Sequence, residues 1–229
     1  MLRSNLVAAE SRSLYGPAMV APGLVHIVDD DDGVRNGLAS LIRSVGNDAR
    51  LYGSAAEFLM ADLPAVPSCL LLDVRLPEIN GLDFQDSLRR QGILLPVILM
   101  TGYGDIQMSV RGMKAGAVDF LTKPVRHQDL LDAVAAALAR DRERRSDDAE
   151  VSAIRQRWSA LTRRELEVFN LVTAGKMNKQ IAGDLQLSEI TVKIHRGSVM
   201  KKMGARTLAD LVKMAELLRL ARPAQREDL

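Results

Sequence analysis

The segment VHIVDDDDGVR, residues 25–35, sets an apolar run directly against four consecutive aspartates, Asp29 to Asp32. Two carboxylates about 4 Å apart repel by roughly 4 kcal/mol at an effective dielectric constant near 20. The four acids must therefore either point into water or share a counter-charge with other side chains. We expect Asp31 and Asp32 in the first turn of a following helix, where acids favour the positive end of the helix dipole.

Around this segment, short apolar runs alternate with helical patterns. The runs are LVHIV (24–28), ARLY (49–52), CLLLDV (69–74), PVILMT (96–101) and AVDFLT (117–122). Continuous apolar runs are typical of strands buried on both faces of a parallel sheet. Between them, residues 33–46 have helical spacing, and residues 106–115 place Ile106, Val110 and Met113 on one stripe. The pattern predicts an α/β, flavodoxin-like fold, with five parallel strands in a doubly wound sheet.

Composition indicates two modules. Residues 22–138 carry 10 Lys and Arg against 15 Asp and Glu, a net charge of −5. Residues 154–229 carry 15 against 8, a net charge of +7, which favours a polyanionic partner. The single cysteine, Cys69, cannot form a disulfide within the chain, and residues 1–21 lack the apolar core of a signal peptide. We expect a cytoplasmic protein without membrane contact.

Polar side chains follow four of the predicted strands. They are Asp29 and Asp30 after the first strand, Asp73 at the end of the third, Thr101 at the end of the fourth and Lys123 after the fifth. In a doubly wound sheet the carboxyl ends of the strands reach one edge, where ligands bind. Clustered carboxylates suit Mg²⁺, and aspartate is a known acceptor in phosphoryl transfer.

The motifs VDDD, LLLDVRLP, MTGYGD and FLTKP, taken in this order, resemble the receiver domain of two-component response regulators. The resemblance implies that Asp73 accepts a phosphoryl group and that the donor is a sensor histidine kinase. It also implies that Asp30, Asp73 and the backbone carbonyl of Arg75 bind Mg²⁺, with Asp29 helping through water. The same resemblance implies that Lys123 contacts the phosphoryl group and that Thr101 and Phe120 are the switch hydroxyl and the switch aromatic.

The basic region is helical in pattern. The motif LTRRE (161–165) supplies a capping box from Thr162 to Glu165. We expect a second helix over about 178–185 capped by Asn178, a third from Ser188 and a fourth over 207–221. The second and third helices, joined by QLS, form a predicted helix–turn–helix.

The third of these helices has two faces when its residues are placed about 100° apart. Val192, His195, Val199 and Met203 form a packed face, and Lys193, Ile194, Gly197 and Lys201 form the opposite face, which suits a DNA major groove. Gly197 destabilises a helix interior by about 1 kcal/mol relative to Ala, so we expect something to pack closely against the helix at this position. The further predicted DNA contacts, mostly to phosphate, are Asn178, Lys179, Thr191, Arg196 and Lys202.

The sequence from LTRRELEVF to KKMGART resembles the LuxR-type DNA-binding domain, and together the modules resemble a NarL/FixJ family regulator. The family implies a homodimer formed on phosphorylation, double-stranded promoter DNA as ligand and RNA polymerase as a further candidate partner. We expect a flexible extension over 1–21, a receiver domain over 22–140, a helical linker over 141–157 and a DNA-binding domain over 158–229.

Two other functions are consistent with parts of this pattern. A Mg²⁺-dependent phosphatase also forms an aspartyl phosphate, but such enzymes have a second acid two residues after the nucleophile, where this chain has Arg75. A phosphorylation-gated adaptor would bind protein through its helical module. The charge of +7 and the lysines of the outer face argue against the adaptor.

Overall fold

The structure is a computed structural model that describes residues 22–77, 79–102 and 106–220, without the side chains of 106–109 and 220. The expected extension over 1–21 lies outside these residues. The chain divides into two compact units between Asp141 and Arg142. None of the helices formed by the described residues is both long and apolar enough to cross a membrane.

The first unit is a five-stranded parallel sheet flanked by helices. Its elements in chain order are β1 (Leu24–Val28), α1 (Asp32–Ser44), β2 (Asp48–Tyr52), α2 (Ala55–Leu59), β3 (Ser68–Asp73), α3 (Gly81–Arg90), β4 (Val97–Thr101), α4 (Ile106–Lys114), β5 (Asp119–Thr122) and α5 (His127–Ser159). The strand order is β2-β1-β3-β4-β5, and all neighbouring pairs are parallel. This confirms the predicted α/β architecture. The helix α5 continues past Asp141 and includes residues 141–157.

The three central strands, β1, β3 and β4, are buried on both faces, as their continuous apolar runs predicted, whereas the edge strands β2 and β5 are partly exposed. Alternate residues of β3 enter different cores: Cys69 and Leu71 pack with α1 and α5, whereas Leu70 and Leu72 pack with α2 and α3. Because a strand directs successive side chains to opposite faces, a run with no polar interruption is what two covered faces require.

The helix predicted over residues 106–115 is present as α4, but two residues of its apolar stripe are not packed. Val110 and Met113 are 46% and 49% exposed. Among residues 110–114, the part of this helix whose side chains are described, Gly112 is the buried one, and an added Cβ there would lie 2.5 Å from Leu99 Cδ1. The helix thus approaches the sheet through its smallest residue, which a search for apolar spacing does not detect.

The described part of the second unit, up to residue 220, forms four helices besides the end of α5. They are α6 (Arg163–Thr173), α7 (Asn178–Leu185), α8 (Glu189–Met203) and α9 (Leu208–Leu220). The capping box of Thr162 and Glu165 is present. The expected cap of α7 is wrong, because Asn178 is the first helical residue and Met177 precedes it. The side chain of Gln180 accepts the Met177 backbone N–H at 2.8 Å, so the helix start is satisfied from inside the helix.

A histidine lies fully buried in the middle of β1. The Nδ1 atom of His26 is 3.0 Å from the hydroxyl of Tyr52, and its ring also contacts Phe58 edge to face. Its Nε2 atom is buried without a hydrogen-bond partner. Burial, assisted by the positive charge of Arg50, lowers the pKa of His26 to about 4. The folded protein therefore holds this ring neutral.

Acid should therefore destabilise the first unit through His26. The unfolded ring takes up a proton below its ordinary pKa of about 6.5, so stability present above that pH is lost as the pH falls towards 4. At pH 5 the loss amounts to about 2 kcal/mol. We expect the decrease in unfolding free energy between pH 7.5 and pH 5 to be smaller by this amount in His26→Leu. Urea denaturation followed by circular dichroism measures it.

The control for that measurement is His127→Leu, which replaces an exposed histidine at the start of α5. It should keep the pH dependence of the unmodified protein. An equal pH dependence in His26→Leu and the unmodified protein would show that His26 is not the titrating group.

Candidate functional site

Strand register brings the predicted acids together at one edge of the sheet. Val28 of β1 is paired with Leu72 of β3, so the next residues, Asp29 and Asp73, lie side by side. One carboxylate oxygen from each of Asp29, Asp30 and Asp73 lies within 4.8 Å of the others. Asp29 is fully buried, the side chain of Asp73 is 7% exposed, and Asp30 is exposed. The cluster is thus buried around Asp29 and Asp73, and it has an open rim at Asp30.

Lys123 supplies the counter-charge that the acids require. Its Nζ atom lies 2.5 Å from Asp29 Oδ2 and 2.7 Å from Asp73 Oδ2. Burial by itself would lower the pKa of Lys123, but the hydrogen bonds and charges of the two carboxylates outweigh it and raise that pKa. The ammonium therefore stays charged and offsets the repulsion between Asp29 and Asp73.

The four consecutive aspartates are divided between two roles. Asp29 and Asp30 join the cluster, whereas Asp31 is the N-cap of α1 and accepts the Val34 N–H at 3.0 Å. This backbone hydrogen bond, with a second from Gly33, lowers the pKa of Asp31. Asp32 is the first residue of the helix, as expected. The chain enters the helix after the second acid, so Asp31 and Asp32 belong to the start of α1 and not to the cluster.

Backbone hydrogen bonds fix the two acidic loops. The Asp31 N–H donates to Asp29 Oδ1 and the Arg75 N–H donates to Asp73 Oδ1, each at 3.0 Å. Arg35 of α1 donates to the backbone carbonyl of Asp29 and pairs with Asp32. The Arg75 side chain is exposed. Each acid is therefore oriented by the loop that follows it.

Two residues that support the site were not identified from the sequence. One is Arg35, whose spacing from Asp32 is that of an ordinary surface ion pair. The other is Gly81, where an added Cβ would lie 2.5 Å from the carbonyl oxygen of Asp73. Its N–H donates to the Val74 carbonyl at 2.9 Å. Only a glycine leaves the end of β3 and the start of α3 in such close contact.

Thr101 and Phe120 lie on the neighbouring strands β4 and β5. Thr101 is fully buried at the end of β4, and its backbone carbonyl accepts the Lys123 N–H at 2.7 Å. Phe120 of β5 is partly buried against the core on the α3 side. The ends of β4 and β5 are thereby joined, and the chain carrying Lys123 is tied to the residue expected to act as the switch hydroxyl.

The residues present fit a bound Mg²⁺. The cluster offers carboxylate oxygens, which this hard cation prefers, and the exposed Asp30 leaves one side open to water. The site already holds one cationic group, the Lys123 ammonium, between two of the acids. A second positive charge beside the three carboxylates is electrostatically consistent with that arrangement.

In the second unit, α8 has the two faces that its sequence predicted. Val192, Val199 and Met203 are fully buried, and His195 is half-buried. The opposite face is exposed at each expected position: Lys193, Ile194, Gly197 and Lys201. An added Cβ on Gly197 would meet nothing within 4 Å, so no described residue of its own unit approaches this glycine closely.

The other residues expected to contact DNA have different surroundings. Lys179 is exposed, whereas the Thr191 hydroxyl lies 2.8 Å from that of Ser188. Arg196 donates to the side chain of Asn178 at 3.0 Å, which joins α8 to the start of α7. These side chains lie on or beside the outer surface of the helix–turn–helix.

Lys202 is placed differently from the expectation of a phosphate contact. Its Nζ atom lies 2.7 Å from Glu165 Oε2. The hydrogen bond from Lys202, with those from Thr162, lowers the pKa of Glu165 to about 2. This cation stabilises the start of α6, and a phosphate would have to compete with Glu165 for it.

Comparison with known proteins agrees with both units. The family model described as a response regulator receiver domain matches residues 25–135. The model described as bacterial regulatory proteins of the luxR family matches residues 159–215. These matches cover the strand-edge acids in the first unit and helices α6 to α8 in the second.

Similar proteins match along both units. Nodulation protein W of Bradyrhizobium diazoefficiens is 54% identical over 195 residues, which cover 85% of this chain and 86% of that protein. The transcriptional regulatory protein FixJ of Azorhizobium caulinodans is 43% identical over 198 residues, 86% of this chain and 93% of that protein. A low-resolution structure of the response regulator StyR has a TM-score of 0.76 at 43% identity, covering 86% of this chain and 99% of that one.

The two family matches, the strand-edge acids and the helix–turn–helix all lead to one assignment. The chain belongs to the two-component response regulators of the NarL/FixJ family, transcriptional regulators that join a receiver domain to a LuxR-type DNA-binding domain.

Proposed function

We propose that Asp73 is the phosphoacceptor of this regulator and that a sensor histidine kinase is the donor. The observation that carries the proposal is the position of the Asp73 carboxylate, which Lys123 contacts at 2.7 Å and which keeps a small exposed fraction at an open rim. Asp29 beside it is fully buried, and Asp30 has no lysine contact among the described ion pairs. Asp73 is therefore the acid that has both a lysine partner and an exposed fraction that a phosphoryl donor can reach.

The transfer requires little of the protein beyond position and charge. A carboxylate oxygen of Asp73 attacks the phosphorus of a phosphohistidine, the new O–P bond forms, and the P–N bond to the imidazole breaks. Lys123 lies where its ammonium can pair with an oxygen of the arriving group. Asp30, Asp73 and the Arg75 carbonyl would hold Mg²⁺, with Asp29 acting through water. The bound ion supplies positive charge that stabilises the phosphoryl oxygens.

The phosphoryl group then changes the charge at the edge of the sheet. We infer that the Thr101 hydroxyl moves towards the new anion and that Phe120 turns further inward. The proposal draws support from the backbone hydrogen bond between Thr101 and Lys123 and from the partly buried position of Phe120. A local change of charge that biases a two-state element is the usual basis of such switches.

The output is proposed to be promoter binding by a dimer. Phosphorylation favours a homodimer, each copy places α8 in a major groove, and the bound dimer engages RNA polymerase. Lys193, Ile194, Gly197 and Lys201 supply the groove-facing surface, and Lys179, Thr191, Arg196, Asn178 and Lys202 lie beside it as further DNA contacts. Since the protein is proposed to bind promoters, we infer that it acts in the cytoplasm. Its receiver domain is proposed to cover residues 22–140.

Asp73→Asn should abolish phosphoryl labelling, because a carboxamide is not a nucleophile towards phosphorus. Incubation of the full chain with radiolabelled acetyl phosphate and Mg²⁺, followed by gel electrophoresis, measures the label. Asp86→Asn, which changes an exposed acid of α3, is the matched control and should label normally. Retention of label in Asp73→Asn would show that another residue accepts the phosphoryl group.

Lys193→Ala should weaken DNA binding and leave the fold intact, since its side chain is exposed on the outer face of α8. Loss of one good base contact lowers affinity by about 5- to 150-fold. Gel shifts with genomic fragments retained by the phosphorylated protein measure this change. Lys213→Ala removes an exposed lysine of α9 and should have little effect, whereas equal affinities of all three proteins would contradict the assignment of the groove-facing surface.

A further inference from the structure

The groove-facing surface of α8 carries an apolar stripe that extends further towards the start of the helix than the sequence suggested. Ile190 and Ile194 are 74% and 63% exposed. At about 100° per residue, Ile190, Ile194 and Gly197 fall within an arc of about 60°. Neither isoleucine belongs to the packed core of this unit. Two branched apolar side chains therefore stand in a row on a surface that no described part of the unit covers.

The surroundings of the stripe indicate the kind of ligand that covers it. Lys193 lies beside the stripe and Lys201 continues it by one turn, and both are exposed. Gly197 leaves a bare position between the isoleucines and Lys201, where an added Cβ would meet nothing within 4 Å. A ligand that fits must carry negative charge and offer small apolar groups. In the DNA major groove the apolar group is the C5-methyl of thymine.

We propose that Ile190 and Ile194 determine sequence specificity by packing against thymine methyl groups, an inference that rests on the proposed entry of α8 into the major groove. The two residues are about 6 Å apart along the helix axis at 1.5 Å per residue. That spacing corresponds to roughly two base-pair steps of 3.4 Å. The two side chains are thus far enough apart to reach different base pairs, and each half-site contains two T·A pairs at the positions that they reach.

Replacement of thymine by uracil tests this proposal, because it removes only the methyl group. The full chain, phosphorylated with acetyl phosphate, first selects a binding site from a random duplex library. Each thymine of that site is then replaced singly, and affinity is measured by fluorescence anisotropy. We expect about a fourfold loss at each of two thymines, the value of one buried methyl group, and no loss at the others.

Variants connect each methyl group to one side chain. Ile190→Ala and Ile194→Ala should each weaken binding to the thymine site and abolish the uracil effect at one of the two positions. Ile194→Val, which keeps a branched apolar side chain, should retain it. Leu208→Ala changes an exposed leucine at the start of α9 and is the matched control, with the uracil effects expected to stay unchanged.

The possible results separate this inference from the function on which it rests. Binding that needs Lys193 but ignores every uracil replacement overturns the methyl contact and leaves DNA binding standing. Uracil effects that persist in both Ile190→Ala and Ile194→Ala would likewise overturn the methyl contact and leave DNA binding standing. If no duplex is retained by the phosphorylated protein, both proposals fail, and the stripe is then a surface for a protein partner.

Discussion

The geometry of the receiver unit depends on one electrostatic constraint. Pairing of β1 with β3 forces the carboxylates of Asp29 and Asp73 to the same sheet edge, where they would repel each other without a shared cation. The Lys123 ammonium meets both of them, and its backbone N–H is at the same time bound to the end of β4. The acids, the cation and the predicted switch residue Thr101 are thus parts of one connected structure. A change in the charge of Asp73 necessarily alters the balance that holds Lys123.

The sequence predicts most of this fold because a strand buried on both faces has a continuous run of apolar residues. A strand such as β3 has no polar residue between Cys69 and Leu72, and its first acid stands where the strand ends. The site follows from topology, since parallel strands bring their carboxyl ends to one edge. The prediction that failed is a local one, since α7 begins one residue earlier than a cap at Asn178 requires. At α4, Gly112 lies against the sheet, and apolar spacing does not mark a glycine.

Supporting residues are harder to predict because their partners are backbone atoms. Arg35 donates to the carbonyl of Asp29, and Gly81 lies against the carbonyl of Asp73. A backbone carbonyl is present at every position, so no residue type in the sequence marks the partner. On α8, by contrast, helical spacing was enough to separate the buried Val192 and Val199 from the exposed face, because each side of that helix meets a single environment.

The ion pair between Lys202 and Glu165 has a consequence for how the regulator searches a genome. The 15 Lys and Arg of residues 154–229 overstate the number of cations open to a polyanion, since Lys176 is also paired, with Asp184, and Arg164 with Glu167. A module with fewer unpaired cations displaces fewer condensed counterions when it binds DNA. Its affinity for non-cognate DNA is therefore lower and depends less steeply on salt concentration. Such a module dissociates quickly from non-cognate sites. Slow dissociation from a cognate site must then come from shape complementarity and apolar contacts in the groove.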